Sequence, residues 1–323
     1  MRVRGNLKML LAGLVVTAAC SDTNDRIQRQ DLVVYEVVHG PVGSAFWSVF
    51  RKGVQDAAKV YEVDVRSLAE QQFSISKLVD NIERATVARP DGLVVTITDH
   101  MAVDASLRRA IDKGIAVIAV NVSDPRPHPE RIPYLLYIGS DERQGAIAAA
   151  NRVLQEKTPK HVLCLIQEAG HAAIAARCDA FAKTMEAAGA TTDIITIPGG
   201  NPTQSAETIR GYFKSHPDTD VTFAPGPQAA TPAMEVVRQL GIADQMTLVA
   251  FGLKPDIVEA IKDGTVLATM EQQQYLQGYL AVQFLAFHTR YGFCLGADID
   301  TGPILIDASN VGIVEKMVTK KFR

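Results

Sequence analysis

The sequence predicts an α/β protein made of two doubly wound parallel-sheet lobes. Three observations lead there. The chain has 323 residues, more than one ordinary hydrophobic core accommodates, so two units are expected. Continuous apolar runs of strand length alternate with segments whose apolar residues recur at helical spacing. Strands that are apolar on both sides and separated by whole helices need crossover connections, which gives parallel sheets covered on both faces.

The elements follow in order. Leu32 to Val38 is the first apolar run, interrupted only by Glu36, and it ends in the turn-rich segment from His39 to Gly43. From Phe46 the period changes, and Phe46, Phe50, Val54, Ala57 and Tyr61 share one helical face. Val63 to Leu68 reads as a second strand, and Leu78, Val79, Ile82 and Ala85 mark the next helix. Gly92 to Thr98 is a third strand, followed by a helix to about Lys113 and a fourth strand from Ile115 to Val122. The alternation resumes beyond Tyr134, with strand-like runs at 161–167, 191–198, 221–224, 246–251 and 266–270. The clearest helix of this half carries Ile174, Cys178, Phe181 and Met185 on one face. Crossovers between parallel strands are right-handed. Ligands on such sheets bind beyond the carboxyl ends of the strands, which singles out the connections 39–45, 96–101, 121–127, 168–173, 199–203, 225–228, 252–255 and 271–274.

The first residues read as an export signal. Arg2, Arg4 and Lys8 supply a positive end, Met9 to Val16 a short apolar stretch, and Ala18 and Ala19 small residues before Cys20. The placement of Cys20 resembles a lipoprotein signal, although Thr17 stands where an aliphatic residue is usual. Lipidation of Cys20 is the expectation, with ordinary cleavage nearby as the alternative, and Ser21 to Asp31 would form a polar tether. The apolar stretch is too short to span a bilayer. The protein is therefore expected in the periplasm or at the cell surface, held by lipid alone.

The formal charge of −3, with acids and bases interspersed, gives no basic footprint for nucleic acid. Cys164 and Cys178 are compatible either with a disulfide in an oxidising compartment or with two buried thiols. Cys294 is left over and is expected to be buried. No C-x-x-C is present and the seven histidines lack ligand spacing, so neither metal nor cofactor is expected. There is no G-x-S-x-G elbow, no Walker loop and no H-E-x-x-H. Asn201 followed by Pro202 reads as a helix cap with proline at the first helical position. His171, in the candidate connection 168–173, reads primarily as a solvated loop residue.

Phe46-Trp47, the run Arg89 to Val95, Ile138 to Asp141, Ala175 to Phe181, Val249 to Gly252, Gly264 to Thr269 and Gln272 to Tyr279 occur in an order and spacing that resemble one family. It is the ribose-binding-like group of periplasmic sugar-binding proteins of ABC transporters, with the type I periplasmic binding protein fold, and the resemblance runs from about Leu32 to Ile306. The resemblance implies three crossings between lobes. An N-terminal lobe would hold 32–138 plus 273–299, a C-terminal lobe 139–272 plus 300–323, and the lobes would close as a hinge. It implies capture of a sugar or polyol by a monomer, delivery to an ABC permease, and no catalysis. A receptor feeding a membrane sensor kinase, or a binder of a non-carbohydrate solute, are the alternatives. A transcription regulator of the same fold would need an N-terminal helix-turn-helix, where this sequence has a signal and tether.

The resemblance also assigns roles. Phe46 and Trp47 would stack on a sugar ring face; Phe46 also begins the apolar stripe of its helix, whereas Trp47 lies off it. Arg177 would clamp ligand oxygens with its forked donors. Asn121 stands where Asp followed by Arg is common, and as an amide it can donate and accept. Thr96 and Asp99 close the third strand, and Asp99 serves equally as ligand acceptor or helix cap. Gln272 matches a hinge glutamine that contacts sugar. Gly252 and Gly226 stand where the family carries an aspartate and an asparagine, so two polar anchors of the second lobe are missing. Glu168, His171 and Gln228 are candidates to compensate.

Overall fold

The structure is a computed structural model and describes residues 32–40 and 43–323. Cys20 and the signal and tether expected around it lie outside the described residues. The first lobe begins with β1 (Leu32–Val37), α1 (Ala45–Tyr61), β2 (Val63–Leu68), α2 (Ile75–Ala88), β3 (Gly92–Val95), α3 (His100–Asp112), β4 (Ala116–Asn121) and β5 (Leu136–Ser140). The chain then crosses to α4 (Glu142–Glu156), β6 (His161–Ile166), α5 (Ala172–Ala187), β7 (Thr191–Thr196), α6 (Pro202–Ser215), β8 (Val221–Ala224), α7 (Pro227–Leu240), β9 (Thr247–Phe251), α8 (Pro255–Lys262) and β10 (Ala268–Glu271). It returns as α9 (Gln274–Tyr291) and β11 (Ile299–Gly302), and crosses a third time into β12 (Ile304–Asp307) and α10 (Val311–Thr319).

Two six-stranded sheets result, ordered β11-β5-β4-β3-β1-β2 and β12-β10-β9-β8-β6-β7. Every pairing is parallel except β10 with β12. Central strands β3, β4 and β8 are buried along their whole length, whereas edge strands β2 and β7 are largely open. That is the pattern of sheets covered on both faces by helices. Strands β5, β11 and β12 had no distinct apolar signature in the sequence. The third crossing falls between Gly302 and Ile304, a few residues beyond the expected 299.

Local chemistry fixes the helix starts. Asp99 accepts from the N–H groups of Met101 and Ala102 and caps α3, Asp141 accepts from Gln144 N–H and caps α4, and Asn201 accepts from Gln204 N–H ahead of Pro202 on α6. In the first lobe Phe50 and Val54 of α1 pack with Leu285 and Val282 of α9 against Val94 and Ile118 of the sheet. The second lobe is held by Phe181, Phe223 and Phe251 on one face of its sheet and by Ile209, Val237 and Ile257 on the other. Cys164 of β6 and Cys178 of α5 are joined by a disulfide. Cys294, expected to be buried, is exposed: it follows the end of α9, with Sγ 3.6 Å from His288 Nδ1.

Thr301 fastens the three crossings. Its hydroxyl oxygen lies 3.1 Å from Gly139 O of the first crossing and 2.7 Å from Gln272 O of the second. Gln277 Nε2 donates to both Gln272 O and Thr301 Oγ1. Among the described residues, no helix is long and apolar enough to cross a membrane.

Candidate functional site

The carboxyl ends of both sheets face one cleft between the lobes. The first lobe contributes His39, Ser44, Phe46, Trp47 and Asn121. The second contributes Gln167, Glu168, His171, Ile174 and Arg177 from the β6–α5 segment, and Pro227, Gln228, Phe251 and Gly252 from neighbouring strand ends. Gln272 lies at the second crossing. The lobes touch beside the cleft, where Ala172 N–H donates to Thr98 O and His171 meets His39.

Arg177 is buried and committed on three sides. Its Nε donates to Glu142, Nη1 donates to Pro225 O, and the guanidinium lies 3.8 Å from the centroid of the Phe251 ring. Glu142, the first residue of α4, also accepts from Gln272 Nε2 at 2.9 Å. A chain of three side chains thus links the second-lobe floor to two hinge crossings. Burial pushes the Glu142 carboxyl up, against the opposing pull of Arg177 and Gln272. Nothing in the sequence signalled Glu142, because its role depends on the crossing that brings it under α5.

Phe46 is half-buried at the cleft wall. Trp47 borders the cleft but is only 4 % exposed and belongs to the first-lobe core, edge-on to His39, Phe46 and Phe50. Being off the apolar stripe of α1 therefore did not free it from packing. Asn121 adopts left-handed φ of 61° at the end of β4, a conformation asparagine tolerates, and it lines the cleft.

Two expected contacts lie elsewhere. Thr96 is buried behind the cleft, where its Oγ1 accepts from His39 N–H and lies 3.0 Å from His39 Nδ1. Asp99 spends its carboxylate on the α3 cap and does not line the cleft. His171, expected to be solvated, is 4 % exposed and packs with His39 and Phe73. The reason is lobe closure, which sequence reading of one loop does not include. His39 lies in a candidate connection with no feature of its own to mark it, and Gln167 ends the strand-like run 161–167.

The missing anchors have a structural account. A Cβ on Gly226 would sit 2.3 Å from Gln167 Nε2, so the Gln167 amide fills the space an asparagine would use. Gly252 has φ of +87° and a Cβ there would meet the Pro227 ring at 3.1 Å, so an aspartate would be strained and crowded. Gln167, Gln228, Glu168 and His171 are the polar groups on that wall instead.

Burial also sets charge in this cleft. It lowers the His39 imidazole well below the usual range, with His171 and Arg177 adding to the effect. His171 is lowered to about 3 by burial and by Arg177. Glu168 is raised to about 7 by burial, partly offset by Arg177. Both imidazoles are neutral at pH 7, and Arg177 supplies the fixed positive charge.

The chain matches the periplasmic binding protein domain over residues 35–290. It belongs to that family. It is 28% identical over 273 residues to the xylose/arabinose-binding protein XylF of Sulfolobus acidocaldarius, covering 80% of this chain and 67% of that one. It is 25% identical over 241 residues to the D-ribose/D-allose-binding protein of Pseudomonas aeruginosa, covering 71% and 75%. The crystal structure of a carbohydrate transporter from Acidothermus cellulolyticus in complex with myo-inositol superposes with a TM-score of 0.84 at 28% identity, covering 91% of this chain and 100% of that one. The first two are named as binding proteins, and the third shares the fold of this chain.

Proposed function

We propose that this family member is an exported solute-binding protein that captures a sugar or polyol between its lobes and delivers it to an ABC permease, anchored to the membrane through Cys20. The observation that carries the reading is the composition of the cleft. Phe46 and the Trp47 edge offer flat apolar surface to ring C–H groups, while Asn121, Gln228, Gln272 and Arg177 offer amide and guanidinium groups to hydroxyls. The relatives named above carry pentoses, allose or inositol in their names, all polyhydroxylated and uncharged. Binding needs no catalysis, and the ATPase of the transporter supplies the energy.

The test is a thermal-shift screen of the chain from Ser21 onward, unfolded and refolded to strip bound solute, against pentoses, hexoses, inositols, sugar acids, nucleosides and amino acids. Ligand binding to the native state raises the midpoint by mass action. A selective rise with one sugar or polyol is expected. A rise confined to amino acids or nucleosides would overturn the carbohydrate reading.

A further inference from the structure

Three side chains in the cleft are arranged for a task that sugar capture does not require. His39 Nε2 and His171 Nε2 face each other at 3.0 Å from opposite lobes. Glu168 Oε2 lies 3.8 Å from His171 Nε2. One donor atom from each of the three residues falls within 4.8 Å of the others. Facing lone pairs on two neutral imidazoles repel unless a proton or a cation stands between them.

We propose that His39, Glu168 and His171 form a binding site for a divalent transition-metal ion of the zinc and nickel class, which bridges the two lobes and holds them closed. The donor set is imidazole nitrogen with carboxylate, which suits these borderline ions and not magnesium or calcium. Metal–nitrogen bonds of about 2.1 Å to both imidazoles, with the nitrogens 3.0 Å apart, subtend about 90°, an octahedral angle. Two donors on one such ion lie at most about 4.2 Å apart, so the carboxylate needs to move by less than about 1 Å.

The surroundings support the assignment. Thr96 Oγ1, 3.0 Å from His39 Nδ1, is placed to accept its proton and leave the Nε2 lone pair for the ion, the usual outer-shell arrangement for a ligating histidine. Thr96 is thus a positioning residue for this site. His171 Nδ1 is buried with no hydrogen-bond partner, so this ring lacks the outer-shell acceptor that His39 has and is oriented by packing against Phe73 and His39. The nearest cation, Arg177, is turned to Glu142 and Pro225 O. The inference is independent of which solute the cleft takes.

The experiment uses the untagged chain from Ser21 onward, stripped with chelator during refolding and titrated calorimetrically with Zn2+ or Ni2+ alone, no solute present. One ion per chain is expected. His39→Ala and His171→Ala should each weaken binding by about 100-fold and Thr96→Val by about 10-fold, while Mg2+ and Ca2+ give no heat. Small-angle scattering should show contraction on adding Zn2+ to the wild-type chain and none with His39→Ala. His39→Gln and His171→Asn repeat the test should an alanine variant melt without a cooperative transition. Absence of stoichiometric binding by the wild type, or a His39 variant that binds as tightly as the wild type, overturns the site. Because the titration contains no sugar, its failure leaves the solute screen untouched, and the reverse also holds.

Discussion

Replacing Arg177 with alanine should weaken both the fold and solute binding, and the two effects can be separated. The guanidinium and the Glu142 carboxylate are 8% and 12% exposed, so removing the arginine leaves a buried acid without its counter-charge. Breaking such a pair from one side costs about 3–5 kcal/mol. Glu142 already has its pKa raised by burial, and the two pulls from Arg177 that oppose the rise would vanish. The native state of the variant would then hold a proton that the unfolded chain releases near its ordinary value of about 4.3. Stability contributed by such a group is present below the unfolded pKa and is lost as pH rises through the folded one. The deficit of Arg177→Ala should therefore grow with pH from about 4.5 upward. Urea unfolding followed by circular dichroism at pH 5, 6, 7 and 8 reads this directly. Adding Glu142→Gln should recover at least about 2 kcal/mol at pH 7, because the orphaned charge is gone, while solute affinity stays reduced by about 10-fold or more for the lost charged donor. A deficit below about 1 kcal/mol that is flat with pH would refute the account of Arg177 as the partner of a buried acid.

Three further outcomes are expected. Cys164→Ala with Cys178→Ala opens a loop of sequence separation 14 and should lower unfolding free energy by about 3 kcal/mol; urea midpoints equal to the wild type would remove the disulfide from the stability account. Trp47→Ala should cost about 3–5 kcal/mol as a core truncation, whereas Phe46→Ala should act mainly on solute affinity, and melting curves in the opposite order would reverse the two roles. Gly226→Asn should destabilise by about 1–3 kcal/mol through its clash with Gln167, and Gln167→Ala in the same chain should recover most of it; a stable Gly226→Asn single variant would show that Gln167 does not hold that space.

The alternation of strand and helix was legible because it is written in local periodicity. So was the location of the site, since strand carboxyl ends follow from topology. Residues whose role depends on lobe closure were not legible. His171 and His39 look like ordinary loop residues until opposite lobes bring them to 3.0 Å. Metal-ligand spacing cannot be found in one stretch of sequence when the donors are separated by 132 positions. Glu142 and Thr301 owe their partners to crossings that leave no composition signal. Asp99 was legible as a cap and Trp47 as a cleft residue, but only the packed structure decides that the cap uses up the carboxylate and that the indole is chiefly core.

The disulfide encloses more than a piece of scaffold. Gln167, Glu168, His171 and Arg177 all lie between Cys164 and Cys178, so most of the polar wall of the second lobe, Gln228 apart, is carried on a covalent ring closed at its base. A ring of that size explores far fewer shapes than an open loop, and the recognition groups reach a new solute already arranged. Without that bond Gln167, Glu168 and His171 would sit on a connection held only by the packing of β6 and α5, and Arg177 only by its place in α5.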